Sequence, residues 1–203
     1  MTDIASLLTN IRRYAQDTRV PILAAASEQV LIEVILAQKP ARILEIGTAI
    51  GYSALLMAAH MPASGRIITI EKDAGRIILA RQFIHQAGID YENRITLVEG
   101  DAAQIIPGIA GPFDLVFIDA AKAQYYNYLT AVLTQLSPRA AVVADNVLFR
   151  GIVLDGQPPR RFRTIATRMK QYLDFVSRDP RFQTEIRAAG DGLSISYYQG
   201  DLV

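Results

Sequence analysis

"ARILEIGTAIGYS", Ala41 to Ser53, decides the architecture. Ile43, Leu44 and Ile46 leave almost no polar face, which is how a strand buried on both sides reads. Glu45, Gly47 and Gly51 then frame a loop that feeds a helix over Tyr52–His60. Gly47 permits a tight turn and a close backbone approach, so the loop can cradle a ligand against the helix start. The dinucleotide fingerprint would need a further glycine between these two. An ordinary strand-to-helix turn is the other reading of this motif.

Working outward, the same unit recurs. "RIITIE" precedes a helix over Ala74–Ala87, and "RITLVEG" a short helix over Ala102–Ile106. "FDLVFID" precedes a helix over Gln124–Leu136, and "AAVVAD" is a fifth strand. Upstream, Ile4, Leu7, Leu8, Ile11 and Tyr14 fall at helical spacing, and a second helix is expected over Ala24–Ala37. Short buried strands alternating with helices predict a parallel sheet with right-handed crossovers. The tail differs: a helix over Arg161–Val176, then "RFQTEIR" and "GLSISYY" separated by the turn-rich "AAGDG". The expected fold class is therefore α/β, a mostly parallel sheet with a C-terminal antiparallel hairpin and helices on both faces. At 203 residues the chain suits one domain, with two N-terminal helices (about 3–37) ahead of an α/β core (about 41–198).

Composition excludes several functions. With 21 basic and 20 acidic side chains, the whole molecule exerts no strong pull on nucleic acid or membrane, and any polyanion affinity must be local. The absence of cysteine removes disulfides, thiolate metal sites and cysteine nucleophiles, and fits a reducing compartment. "MTDIASLLTNIRRYAQ" has no secretory pattern, and no uncharged apolar run approaches the roughly 20 residues that span a bilayer. A cytoplasmic protein with no membrane partner is expected.

Ligands of such sheets bind beyond the carboxyl ends of the strands. Glu71 ends the second strand, where an acid can accept from both hydroxyls of a ribose; a solvated acid at a helix start is the alternative. Asp101 and Ala102 follow the third, where an adenine could be held, although Asp is also a common helix cap. Asp119 ends the fourth strand, and Asp145 with Asn146 the fifth. Neighbouring strands lie about 4.8 Å apart, so the two acids can converge on one ion, with Asn146 adding a neutral oxygen. Such hard donors favour magnesium, manganese or calcium over zinc. Helix-capping acids are the structural alternative. His60 and His85 fall on predicted helices and read as structural.

The Glu-x-Gly-x-x-x-Gly loop and the acid after the second strand resemble those of class I S-adenosylmethionine-dependent methyltransferases, which implies their Rossmann-like fold. "FIDAAKAQYYNYL" and "VVADNVLFRGIV" resemble the cation-dependent O-methyltransferase family that includes catechol and caffeoyl-CoA O-methyltransferases. The resemblance covers roughly Ile22 to Tyr198. It implies a cofactor site of Glu45, Gly47, Tyr52, Ser53, Glu71, Asp101, Ala102 and Asp119. It also implies a divalent cation, magnesium ahead of manganese or calcium, on Asp119, Asp145 and Asn146. Asp119 and Lys122 would be catalytic, with Lys122 as general base or charge partner of the acceptor hydroxyl.

The acceptor is read from the tail. Arg150, Arg160, Arg161, Arg163, Arg168 and Lys170 concentrate positive charge in an otherwise neutral chain. A clustered basic surface can bind phosphates, and a solvated basic helix would look the same. With "RVPIL" and "GDGLSIS", this tail resembles the bacterial branch that methylates 5-hydroxyuridine in tRNA. The resemblance thus implies tRNA or a catechol-like small molecule as acceptor, Arg150, Arg160, Arg161 and Arg163 as substrate contacts, and a homodimer. The two N-terminal helices would cover the active site or pack on a partner subunit. An NAD-dependent oxidoreductase and a non-catalytic nucleotide- or RNA-binding module are the competing classes.

Overall fold

The computed structural model describes residues 3–149, 151–153 and 158–200. The first half of the chain runs α1 (Ile4–Thr18), α2 (Ala25–Gln38), β1 (Arg42–Ile46), α3 (Tyr52–His60), β2 (Arg66–Glu71), α4 (Ala74–Ala87), α5 (Ile89–Glu92) and β3 (Ile95–Glu99). There follow α6 (Ala102–Ile105), β4 (Phe113–Ile118), α7 (Tyr125–Val132), β5 (Leu136–Ala144), α8 (Arg163–Arg178), β6 (Phe182–Arg187) and β7 (Leu193–Tyr198).

Successive side chains of a strand point to opposite faces, and β1 has apolar side chains on both. Ile43 joins the core beneath α1, α2 and α3, whereas Leu44 and Ile46 join the core beneath α7 and α8. All three are fully buried, so β1 becomes central. It pairs in parallel with β2 on one side and β4 on the other. The sheet order is β3-β2-β1-β4-β5-β7-β6, and the last two strands run antiparallel. β7 pairs with β5, which leaves β6 as the edge, and only the buried β7 is apolar along one whole face. None of the described helices is long and apolar enough to cross a membrane.

Boundaries differ from expectation in informative places. The helix expected over Gln124–Leu136 is shorter, because a 3-10 turn at Leu133–Gln135 closes α7 and Leu136 opens β5 opposite Phe113. β5 thus starts before Ala140, with an irregular register between Phe113 and Leu115. Pro138, which lacks an amide hydrogen, and Arg139 at φ +68° lie in that irregular stretch. α8 starts at Arg163 rather than Arg161, after a 3-10 turn at Arg160–Phe162. The four-residue α5 has no counterpart among the expected elements; its two apolar or aromatic side chains leave no periodicity to detect.

β1 and β4 are neighbours although β2 and β3 intervene in sequence, so the strand order switches between them. Such a crevice is where open sheets bind ligands. The backbone ladder carries one step past the strand ends: Asp119 N donates to Ile46 O and Asp145 N to Ile118 O, both at 3.0 Å. Gly47, Asp119 and Asp145 therefore emerge side by side. Gly47 has φ +100°, and a Cβ there would stand 2.1 Å from Asp119 O, so only glycine lets these loops touch.

Candidate active site

A cavity of about 390 Å³ opens over these strand ends. Its wall includes Gly47, Tyr52, Ser53, Glu71, Asp101, Ala102, Asp119, Lys122, Asp145 and Asn146, residues contributed by all five parallel strands or the segments that follow them. Its size and its few convergent polar groups suit a small-molecule site.

The loop after β1 is held at both ends. Gly47 N and Thr48 N donate to Ile70 O at 2.9 and 3.2 Å. Glu71 accepts from Ala49 N at 2.9 Å through one oxygen and from Lys72 N and Asp73 N, both at 3.0 Å, through the other. Ala49 has φ +48°, a left-handed conformation uncommon outside glycine, so Glu71 also fastens a strained peptide. Asp101 both lines the cavity and caps α6, accepting from Ala103 N at 2.9 Å.

Glu45 does not reach the cavity, contrary to its expected place in the cofactor site. Its side chain points into the core under α3 and is 0% exposed, while Ile46, on the opposite face of the strand, reaches the cavity wall. Thr69 Oγ1 donates to Glu45 Oε2, and Oε1 has no partner. Burial pushes the Glu45 carboxyl up to about 7, against the opposing pull of the Ser53 and Thr69 hydroxyls. Spacing from the glycines cannot show which face of a strand a side chain takes when both are buried.

Tyr52 lies between the cavity and the N-terminal helices. Its hydroxyl donates to Glu28 Oε2 at 2.8 Å and accepts from Arg12 Nη2 at 2.6 Å, while Arg12 also pairs with Glu28. Burial, then the Glu28 acceptor, push the Tyr52 phenol up to about 12. This network joins α1, α2 and α3 on one face of the sheet. The residues Pro21–Ala24, which connect α1 to α2, form part of the cavity wall. Arg12, Glu28, Thr48 and Tyr128 stand in no motif that sequence reasoning could read, and "RVPIL" enters there only through a resemblance.

The acidic end is crowded with charge. Burial raises the Asp119 carboxyl, and the nearby Lys122 ammonium pulls it back. Burial and then the Asp119 charge raise Asp145 to about 6, offset by donors from Asn146 and Ser27 and by Lys122. Lys122 Nζ donates to Asn146 Oδ1 at 3.0 Å. Asn146 has φ +58°, which asparagine tolerates better than most residues. Beneath them the buried Tyr125 hydroxyl donates to Asp145 O at 3.0 Å. Two desolvated carboxylates, Asp119 raising the proton affinity of Asp145, with a carboxamide oxygen beside them, are a donor set that fits a hard divalent cation. Among the described residues no three His, Cys, Asp or Glu side chains group for a metal, so this set would consist of two carboxylates and the Asn146 carboxamide.

The arginines stand apart. Arg160, Arg161 and Arg163 are exposed, and none lines the cavity. Arg161 stacks on Phe162 at 4.5 Å, and Phe162 meets Phe149, in the turn after Asn146, edge-on at 5.3 Å. The basic turn is thereby tied to the acidic end of the cavity from outside. Arg150 lies outside the described residues. His60 bonds Leu56 O, and His85 pairs with Glu92, both away from the cavity.

The chain is 41% identical over 117 residues to a catechol O-methyltransferase of Niastella koreensis, a match covering 56% of this chain and 52% of that protein. It is 34% identical over 164 residues to the catechol O-methyltransferase domain-containing protein 1 of Mus musculus, covering 78% of this chain and 61% of that one. Among solved structures, the O-methyltransferase TomG of Streptomyces achromogenes, involved in tomaymycin synthesis and determined with SAM, superposes at a TM-score of 0.84. It is 26% identical, and the match covers 96% of this chain and 90% of that one. A family model described as O-methyltransferase matches residues 3–198, nearly the whole chain that carries the cavity just described, and this chain belongs to that O-methyltransferase family.

Proposed function

We propose that this chain is an S-adenosylmethionine-dependent O-methyltransferase that methylates a hydroxyl held at Asp119, Asp145 and Asn146 with a divalent cation, magnesium first among the candidates. The observation that carries the reading is the arrangement of a single cavity. Glu71, Asp101 and Ala102 line it beyond β2 and β3, and two acids with an asparagine line it beyond β4 and β5.

S-adenosylmethionine supplies the methyl group, and a bound divalent cation lowers the pKa of a coordinated hydroxyl toward neutrality. Glu71 would offer carboxylate oxygens to a ribose, and Asp101 would meet the adenine. Gly47 lets the loops after β1 and β4 meet at the site, where a cofactor would lie against their backbone. Asp119, Asp145 and Asn146 orient the acceptor oxygen, and the Lys122 ammonium stabilises negative charge that forms there. Holding the two reactants in contact supplies much of the acceleration.

The acceptor is a molecule with adjacent oxygens, a catechol or the 5-hydroxyuracil of a tRNA. The names of the relatives favour the first, and the exposed basic turn beside Phe149 favours the second. Purified protein with methyl-labelled cofactor should be offered catechol and hypomodified tRNA in parallel, with magnesium or with a chelator. Transfer to either acceptor that stops with the chelator supports the reading. Transfer that ignores the chelator overturns the role of the cation, and reduction of a nicotinamide cofactor in place of methyl transfer overturns the whole.

A further inference from the structure

We propose that Ser27 is a positioning residue for Asp145, holding its carboxylate so that one chosen oxygen faces the cavity; the inference rests on the cation reading above. Ser27 is 0% exposed and stands in the first turn of α2, separated from Asp145 by 118 positions. It is the third helical residue, beyond the Ala24 N-cap, and its side chain makes no bond to the helix terminus. Its Oγ donates instead to Asp145 Oδ1 at 3.0 Å.

Asn146 N donates to the same Oδ1 at 2.8 Å. A carboxylate oxygen has two lone pairs, and these two donors occupy both. Oδ2 is left as the oxygen for a ligand, and the carboxylate cannot turn without breaking two hydrogen bonds. Ser27 is itself braced from behind. Gly190 has φ +56°, and a Cβ there would stand 2.6 Å from Ser27 Oγ. The turn containing Gly190 is sewn to the segment after Asp145: Val147 N donates to Gly192 O at 2.9 Å and Leu148 N to Asp191 O at 3.0 Å. The "GDG" of the C-terminal hairpin thus has a task. It locks α2 and the end of β5 into one unit, with Ser27 Oγ at the junction.

Partners that orient metal ligands typically matter about 10–100-fold in metal affinity. The test is titration of manganese into the purified full chain by calorimetry, without acceptor, alongside S-adenosylhomocysteine binding and thermal unfolding. Ser27→Ala is expected to weaken manganese binding by about tenfold or more, with S-adenosylhomocysteine affinity unchanged. Gly190→Ala should weaken manganese binding in the parent chain and by a smaller factor in the Ser27→Ala background, where the Oγ it would meet is gone and only the left-handed backbone strain remains. A lowered melting temperature with unaltered manganese affinity would mean a merely structural serine and overturn the inference. If Ser27→Ala does not fold, Ser27→Cys keeps the shape with a weaker donor, and parent-like manganese affinity there overturns it equally. A parent chain that binds no manganese removes the cation reading and this inference together, whereas a parent that binds and a Ser27→Ala variant that binds equally well removes the inference alone.

Discussion

Lys122 Nζ lies 3.0 Å from Asn146 Oδ1, so the ammonium that follows β4 is held by the carboxamide that follows β5. The charge is delivered to the acidic end of the cavity by a short 3-10 turn, Lys122–Gln124, rather than by a long flexible reach. Replacing Lys122 with Met keeps the aliphatic stem and removes the charge. Turnover should fall by about 100-fold or more, the scale of a positioned proton-transfer or charge-stabilising group. Cofactor affinity should hold. Steady-state kinetics with a parallel binding measurement separate the two, and unchanged turnover would remove Lys122 from the chemistry.

Glu71 offers its carboxylate to the cavity while accepting three backbone amides. Glu71→Gln preserves the shape but removes the charge, and its amide nitrogen cannot accept. Cofactor binding should weaken by about 1.5 to 3 kcal/mol, the range for hydrogen bonds to charged groups. Calorimetry with S-adenosylhomocysteine reads this directly. A dissociation constant equal to the parent's would leave Glu71 as a loop fastener and nothing more.

Glu45 makes stability depend on pH. Its folded pKa of about 7 lies above the ordinary 4.5, so between these values the folded chain keeps a proton that the unfolded chain releases. The contribution is fully present below pH 4.5 and is lost as pH rises through 7, by roughly 3 kcal/mol at the scale of about 1.4 kcal/mol per unit. Glu45→Gln cannot ionise. Denaturation between pH 5 and 8 should show the variant gaining on the parent as pH rises, and parallel curves would contradict the burial argument.

Arg160, Arg161 and Arg163 separate the acceptors. Changing all three to Ala should weaken tRNA methylation and flatten its salt dependence by about one slope unit for each phosphate that an arginine no longer neutralises. Methylation of a small catechol should change far less, since these side chains lie outside the cavity. Equal loss on both acceptors would make the turn a support for Phe149 and the neighbouring Asn146 rather than a nucleic-acid surface.

Residue order alone specifies the succession of five buried strands with helices between them, because runs such as Leu115–Ile118 have no polar face to give to water and Ile43–Ile46 has only Glu45. It also specifies which residues end those strands, and in a parallel sheet all such ends share one edge. That is why Glu71, Asp101, Asp119, Asp145 and Asn146 can be grouped from the chain itself. Packing of the elements sets the direction of each side chain and the partners brought from afar. Glu45 stands two positions before Gly47 yet is sealed into the core, because alternation along β1 turns it toward α3 while Ile46 takes the cavity side. Arg12 and Glu28 meet Tyr52, and Ser27 meets Asp145, only because α1 and α2 fold back over the sheet face beside the glycine loop. Local periodicity reports burial along one element; a pairing such as Ser27 with Asp145 depends on how distant elements pack, and no spacing in the chain encodes it.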